Sequence, residues 1–269
     1  PRDVPFAGDW NCDGIDTPGL YRRSDGYVYL RNSNTEGIAD LDFYFGNPGD
    51  KPFVGDFNCD GISTVGLHRE STGLVYFRNS NTQGVADIRF FFGNPSDIPL
   101  AGDFDGDGCD TLSIYRPSEA RLYIINRLGS NDGGLGAADY SYVFGNPGDK
   151  PFTGDFNGNG TTTVGLHRES TGFVYFRNTN TQGIADAQFY FGDPGDRLMS
   201  GDWTGDGNDT LIGNNADNIL SGERGNNTYT GGAGNDTLYG EAGTRAAGMG
   251  QPGERQFPRD NMPGRRPGA

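Results

Sequence analysis

Short runs of aromatic and β-branched residues, broken at regular intervals by Gly, Pro and Asn, make up most of the chain. At its start, Pro-Phe-Ala-Gly-Asp-Trp (5–10), Thr-Pro-Gly-Leu-Tyr-Arg (17–22), Gly-Tyr-Val-Tyr-Leu-Arg (26–31) and Ala-Asp-Leu-Asp-Phe-Tyr-Phe (39–45) read as four strands. The turn Gly46-Asn-Pro-Gly-Asp50 then begins the same sequence of elements again. No segment carries the 3.6-residue period at helical length, so the chain is predicted to be all-β.

The spacing is regular. An acidic phrase recurs with first residues Asp9, Asp56, Asp103, Asp155 and Asp202, separated by 47, 47, 52 and 47 residues. Asp40, Asp87, Asp139 and Asp186 keep the same beat, which places a five-residue insertion between Arg127 and Asp139 of the third unit, predicted to be a surface loop. Repetition at this period means stacked or radially arranged units. Four strands in about 47 residues is the content of one β-propeller blade.

The recurring phrase itself carries candidate chemistry. In Asp103-Phe-Asp-Gly-Asp-Gly-Cys-Asp110, Asp103, Asp105 and Asp107 occupy positions 1, 3 and 5, Gly108 position 6 and Asp110 position 8. Ca2+ takes six to eight oxygens at about 2.3–2.6 Å, and alternate carboxylates before a Gly turn gather such oxygens around one point. The EF-hand is excluded, because position 12 is Ile114 and strand-like sequence flanks the loop. An ion-free Asx turn is the competing reading, but four carboxylates so close repel one another without a cation. The other candidate ligands are Asp9, Asn11, Asp13 and Asp16 in the first loop, and Asp56, Asn58 and Asp60, with Ser63, in the second. Asp155, Asn157 and Asn159 form a fourth loop with one carboxylate and weak or no expected affinity, and Asp202, Asp206 and Asp209 form a fifth. Thr17, Thr64, Thr111, Thr163 and Thr210 fill position 9 and start the outgoing strand, so they are not taken as ligands.

Composition narrows the partners. The 269-residue chain has a net charge of −15, which disfavours nucleic acid and anionic membrane and favours cations; five Ca2+ would bring it to −5. Hydrophobic content is 33%, yet 18 Phe and 13 Tyr supply core area, and 46 Gly with 15 Pro supply turns. No transmembrane run is present, and Pro-Arg-Asp-Val-Pro at the start is not a signal peptide, so a secreted protein would be seen here as a mature form or a fragment. Cys12 and Cys59 sit at position 4 and Cys109 at position 7. A thiol metal cluster is absent, and a Cys12–Cys59 bridge is disfavoured because equivalent positions in adjacent repeats lie too far apart.

At this point a resemblance enters. The unit Gly102-Asp-Phe-Asp-Gly-Asp-Gly-Cys-Asp-Thr-Leu-Ser-Ile-Tyr-Arg116 resembles the FG-GAP/VCBS-type repeats of bacterial extracellular proteins, relatives of the integrin propeller blades, over about residues 1–212. It implies a propeller with Ca2+ in the loop between two strands, serving adhesion or glycan contact, or accompanying a catalytic domain. Four full units plus a partial one are fewer than the family's usual number. A small ring closed by strands from both ends, a fragment, and a ring completed by a second chain all remain open.

From residue 204 the period changes. Leu211, Leu220, Tyr229 and Leu238 are nine apart, and Gly231-Gly-Ala-Gly-Asn-Asp-Thr-Leu-Tyr239 resembles the RTX nonapeptide, which implies a parallel β-roll binding Ca2+ between turns, with Asp236 the clearest ligand. Gly205-Asp-Gly-Asn-Asp-Thr-Leu-Ile-Gly213 fits both repeat types. Residues 244–269 carry five Arg against Glu254 and Asp260, with frequent Gly and Pro, and read as a disordered basic tail. The expected domains are therefore a propeller (1–203), a roll (204–243) and a tail (244–269).

Catalysis is not expected. His68 and His167 occupy one repeat position that Tyr21 and Tyr115 fill elsewhere, which reads as structural, and most Asp lies in the loops. The reading is a secreted, calcium-binding, non-catalytic contact module for cell-surface glycan or protein. The alternatives are a subunit assembling into oligomers or filaments through unpaired blade edges, and the accessory part of an extracellular hydrolase. The Arg-Asn-Ser-Asn-Thr segments (31–35, 78–82) and their counterpart at 177–181 are read as turn-forming in preference to sugar-binding.

Overall fold

The computed structural model describes residues 3–129, 136–191, 198 and 200–203, and beyond these the backbone of six short strands. The chain forms two compact units, residues 1–203 and 204–269. In the first, four antiparallel four-stranded sheets are arranged as the blades of a β-propeller. Blade 1 comprises β1 (Val4–Gly8), β2 (Thr17–Arg22), β3 (Tyr27–Leu30) and β4 (Leu41–Tyr44), and blade 2 comprises β5 (Lys51–Gly55), β6 (Thr64–Arg69), β7 (Leu74–Phe77) and β8 (Ile88–Phe91). Blade 3 holds β9 (Ile98–Gly102), β10 (Thr111–Arg116), β11 (Arg121–Ile124) and β12 (Tyr140–Val143). Blade 4 holds β13 (Lys150–Gly154), β14 (Thr163–Arg168), β15 (Phe173–Phe176) and β16 (Ala187–Tyr190). The first strands β1, β5, β9 and β13 neighbour one another around the axis.

Packing repeats with the sequence. Alternate residues of the fourth strand of each blade meet alternate residues of the second strand of the next: Phe43 and Phe45 pack with Val65 and Leu67, Phe90 and Phe92 with Leu112 and Ile114, Tyr142 and Phe144 with Val164 and Leu166. Full burial of one such side chain stabilises by about 1.5–3 kcal/mol. Within a blade, the rings of Phe6, Phe53 and Phe152 lie where a Cβ on Gly19, Gly66 or Gly165 would stand, so these strand glycines are required by close approach. Blade 3 solves the same contact with Leu100 and Ser113.

A charged bridge the sequence reading did not foresee recurs at the blade entrances. Asp50, buried, accepts Arg69 Nε at 2.9 Å and Nη2 at 2.8 Å, and its Oδ2 also accepts the Asn47 backbone N–H at 2.9 Å. Asp97–Arg116 and Asp149–Arg168 repeat the pairing, and each guanidinium lies 4.5–4.7 Å from the centre of a Tyr ring, that of Tyr76, Tyr123 or Tyr175. The bidentate geometry fixes each Gly-Asn-Pro turn to the second strand of the blade that follows it.

Residues 200–202 bridge blade 4 to blade 1. The Ser200 hydroxyl donates to the Thr153 carbonyl of blade 4, while Asp202 exchanges two hydrogen bonds with Asp16 of blade 1. These bonds join the two ends of the propeller through a segment of the same chain, while the outer face of blade 4, at Phe189 and Phe191, stays exposed.

Cys12 and Cys59 do not pair, in line with the spacing argument; Cys59 instead forms a disulfide with Cys109, Cα–Cα 4.9 Å, because position 4 of one loop faces position 7 of the next. Cys12 is free and exposed, with Gly61 of the second loop beside its sulfur. The insertion in blade 3 is more than a surface loop. Leu128 and Ala138 pack on the core between blades 2 and 3, and Gly136 N–H donates to Phe91 O at 2.8 Å, so the ends of the insertion extend the edge of blade 2; residues 130–135 lie outside the described set.

In the second unit, β17 (Thr210–Ile212), β19 (Thr228–Thr230) and β21 (Arg245–Ala246) form one parallel sheet, and β18 (Ile219–Gly222), β20 (Thr237–Gly240) and β22 (Arg255–Pro258) another. Partners such as Leu211 and Tyr229, or Leu220 and Leu238, are two nonapeptides apart, the register a roll requires. Strands β21 and β22 carry this pairing to residues 245–246 and 255–258. Asp206, Asp209 and Asp236 lie outside the described residues, as do residues 205–209 and 213 of the doubled motif.

Two predictions follow from this packing. The Cys59–Cys109 bridge spans 50 residues, and the chain-entropy relation assigns a loop of that length about 4 kcal/mol. Cys59→Ser should lower stability by that order in denaturant titration, and an unchanged midpoint would show that the loops hold their spacing without it. His68 is fully buried with neither ring nitrogen hydrogen-bonded, and burial, followed by the Lys51 charge, pushes its pKa down. A folded-state value below the unfolded one means that the unfolded chain takes up the proton first, so stability is lost as pH falls through about 6.5. His68→Tyr, the residue of blades 1 and 3, should flatten the pH dependence of the denaturant midpoint between pH 7.5 and 5.5.

Candidate metal centre

Each acidic loop joins the first and second strands of a blade, and the position-1 carboxylate is its hub. Asp103 Oδ1 accepts the backbone N–H groups of Gly106 at 2.7 Å and Asp107 at 3.1 Å, and Oδ2 accepts that of Gly108 at 2.8 Å. Asp9, Asp56 and Asp155 do the same in their loops. The position-5 side chain holds the next turn: Asp13, Asp60, Asp107 and Asn159 each accept the N–H two residues on, at 2.9–3.0 Å. The wrap needs left-handed backbone at position 6, where Gly14, Gly61, Gly108 and Gly160 have φ of 82–89°. Cys12 and Cys59 take the left-handed conformation at position 4, with φ of 60° and 61°.

Among the described residues the third loop has the strongest donor set. One carboxylate oxygen each from Asp103, Asp105 and Asp107 lies within 4.8 Å of the others. Desolvation, then the charges of Asp107 and Asp103, raises the pKa of Asp105, the signature of carboxylates gathered without a neutralising charge. Three converging hard oxygens fit Ca2+. In the first and second loops position 3 is Asn, and Asn11 and Asn58 donate Nδ2 to Asp13 and Asp60 at 2.9 Å. The fourth loop keeps the wrap around Asp155 with Asn157 and Asn159 beside it.

Position 8 faces elsewhere. Asp110 Oδ2 accepts the Asp56 N–H at 2.7 Å, and Asp110 N–H donates to Asp56 O at 2.9 Å, a reciprocal clamp between loops of neighbouring blades. Ser63 clamps Asp9, Thr162 clamps Asp103, and Asp16 clamps Asp202 in the same way. Burial pushes the carboxyl groups of Asp16 and Asp110 up to about 6. The structure thus brings positions 1, 3 and 5 together and sets Asp16 and Asp110 against the neighbouring loop. Spacing within one repeat carries no signal for that. The hydroxyls of Thr17, Thr64, Thr111 and Thr163 lie 3.4–3.5 Å from the Gly carbonyl opposite each across the first two strands.

The loops between third and fourth strands share this face of the ring. Arg31 donates to the carbonyls of Thr35, Glu36 and Ile38 at 2.9, 3.1 and 2.5 Å, Arg78 and Arg177 repeat the cage, and Asn34, Asn81 and Asn180 donate to the position-8 carbonyls. The Arg-Asn-Ser-Asn-Thr segments therefore buttress the acidic loops.

The family model for RTX calcium-binding nonapeptide repeats, in four copies, matches residues 203–238 and 224–244. Over these residues the chain is similar to RTX calcium-binding repeats, which is consistent with Ca2+. No curated protein and no solved structure matches the chain. Among the described residues no helix is long and apolar enough to cross a membrane.

The two kinds of acidic position separate by experiment. Asp107→Ala should weaken calcium binding by the third loop about tenfold or more, equivalent to about 1.4 kcal/mol, whereas Asp110→Ser, which installs the clamp residue of the second loop, should leave it intact. Calorimetric titration of both variants decides this, and equal loss in the two would make Asp110 a ligand.

Proposed function

We propose that the chain is an extracellular, non-catalytic adhesion module whose propeller loops bind Ca2+ and whose blades are of the FG-GAP/VCBS kind. The observation that carries this is the convergence of Asp103, Asp105 and Asp107 in a loop whose hub geometry recurs in every blade, beside a segment of RTX calcium-binding repeats. RTX repeats are typical of secreted bacterial proteins. Calcium at millimolar level outside cells would hold the loops, and through the clamps the ring, in the form that contacts a cell-surface glycan or protein. The buried positions of His68 and His167, with no polar partner for either ring, favour a structural role for both.

A second reading, assembly into larger structures, has its own support. Phe189 and Phe191 of blade 4 are 45% and 60% exposed, whereas their counterparts in blade 1, Phe43 and Phe45, are 6% and 4% exposed under the next blade.

Binding to the folded state alone stabilises by about 2.7 kcal/mol per site when free ion exceeds Kd a hundredfold. Chelation should therefore lower the melting temperature of the full chain, and calcium-dependent retention on a glycan array should be lost with it. An unchanged melt in excess chelator contradicts the calcium loops. Growth of large species with calcium in light scattering, without glycan retention, favours assembly.

A further inference from the structure

The interface between blades 2 and 3 departs from those on either side of it, and the departures converge on one place. Ile114 stands where blades 2 and 4 have Leu67 and Leu166. A Cβ built on Gly93 stays 3.1 Å from Ile114 Cδ1, whereas one on Gly46 or Gly145 overlaps Cδ1 of the corresponding Leu. The shorter reach of Ile114 leaves space above the Gly-Asn-Pro turn that its siblings fill. In that turn Ser96 replaces Gly49 and Gly148 while keeping a φ of 75°, a conformation costly for a residue with a Cβ. Glu119 replaces Thr72 and Thr171, and the inserted segment ends here, with Gly136 bonded to Phe91.

The result is a cleft of about 250 Å³. Phe91, Phe92, Ile114 and Tyr123 supply apolar walls, Gly136 and Ala138 close one side, and Asn94 and Arg116 stand at the mouth. An adjoining depression continues past Asn94 and Arg116 to Ser96 and Glu119. Arg116 is not available as an anion receptor. Its guanidinium is held by both oxygens of Asp97 at 3.1 and 3.0 Å, by the Tyr123 hydroxyl at 2.9 Å and near Glu119 at 3.5 Å. Two carboxylates against one guanidinium repel a negatively charged ligand, and the guanidinium at the mouth disfavours a cation. A wholly apolar ligand would leave the polar mouth unmatched. The fitting chemistry is a small neutral ring with an apolar face and a hydroxylated rim.

We propose that this cleft binds a single neutral pyranose, the terminal sugar of a glycan. The proposal rests on the adhesive reading above and gives it a site on the face of the ring opposite the acidic loops, since the Gly-Asn-Pro turns and the second-to-third-strand turns lie at the other ends of the strands. So small a contact has an expected Kd on the order of 1 mM.

Saturation-transfer NMR on the full calcium-loaded chain, with D-glucose, D-galactose, L-fucose and N-acetylglucosamine as probes, tests it. At least one sugar should receive saturation. Ile114→Leu restores the residue of the neighbouring blades, so it should fold with an unchanged calcium-dependent melt while reducing the transfer about tenfold or more. Ser96→Gly relieves the strained turn outside the cleft, so it should raise the melt while leaving the transfer undiminished. Transfer from none of the four sugars overturns the proposal. Transfer that persists undiminished in Ile114→Leu overturns this cleft as the site and leaves the adhesive reading standing.

Discussion

The propeller is held together where one backbone amide meets the loop of the next blade. At each clamp two hydrogen bonds run in opposite directions, as between Asp56 and Asp110 or Asp9 and Ser63, and one of them depends on the side chain at position 8. The position-1 Asp serves both sides. Its backbone grips the neighbouring loop while its carboxylate gathers the amides of its own. An ion at positions 1, 3 and 5 would therefore act on the same residue that fastens the ring, so local metal binding and global closure are coupled through the first residue of each loop.

The clamps are not chemically equal. Ser63 and Thr162 use a hydroxyl, whereas Asp16 and Asp110 bury a carboxyl group whose pKa rises to about 6. A buried ionised acceptor makes a stronger hydrogen bond but has lost its hydration, and neighbouring Asp202 or Asp56 charge adds to that cost. Both acidic clamps border loops with several carboxylates, where a cation would relieve them. The Cys59–Cys109 bridge reinforces one of these two junctions.

Much of this architecture was legible in the chain. Aromatic runs between Gly, Pro and Asn located the strands, the 47-residue beat gave the blades, and the Asp-x-Asp-x-Asp-Gly pattern identified the residues that converge at 103–107. The nonapeptide Leu and Tyr spacing anticipated the parallel pairing of Leu211 with Tyr229. What stayed hidden depends on how one blade sits against the next. Position 8 reads as a ligand from the spacing of one loop, and its contact with the amide of another loop, 54 residues away for Asp110 and 186 for Asp16, leaves no trace in that spacing. The disulfide joins non-equivalent positions, the Asp50–Arg69 bridge links residues nineteen apart across two strands, and the ends of the insertion found an edge to pair with. None of these has a local period.

Hydrogen exchange of the backbone amides of Asp16, Ser63, Asp110 and Thr162, measured with calcium and with chelator, tests the coupling most directly. These four donate across the blade junctions. If metal in the loops fastens the ring, calcium should slow all four together, including Thr162, whose own loop has a single carboxylate but whose partner Asp103 heads the richest one. Calcium bound with exchange slowed only inside the loops, and the four junction amides unchanged, would contradict the account.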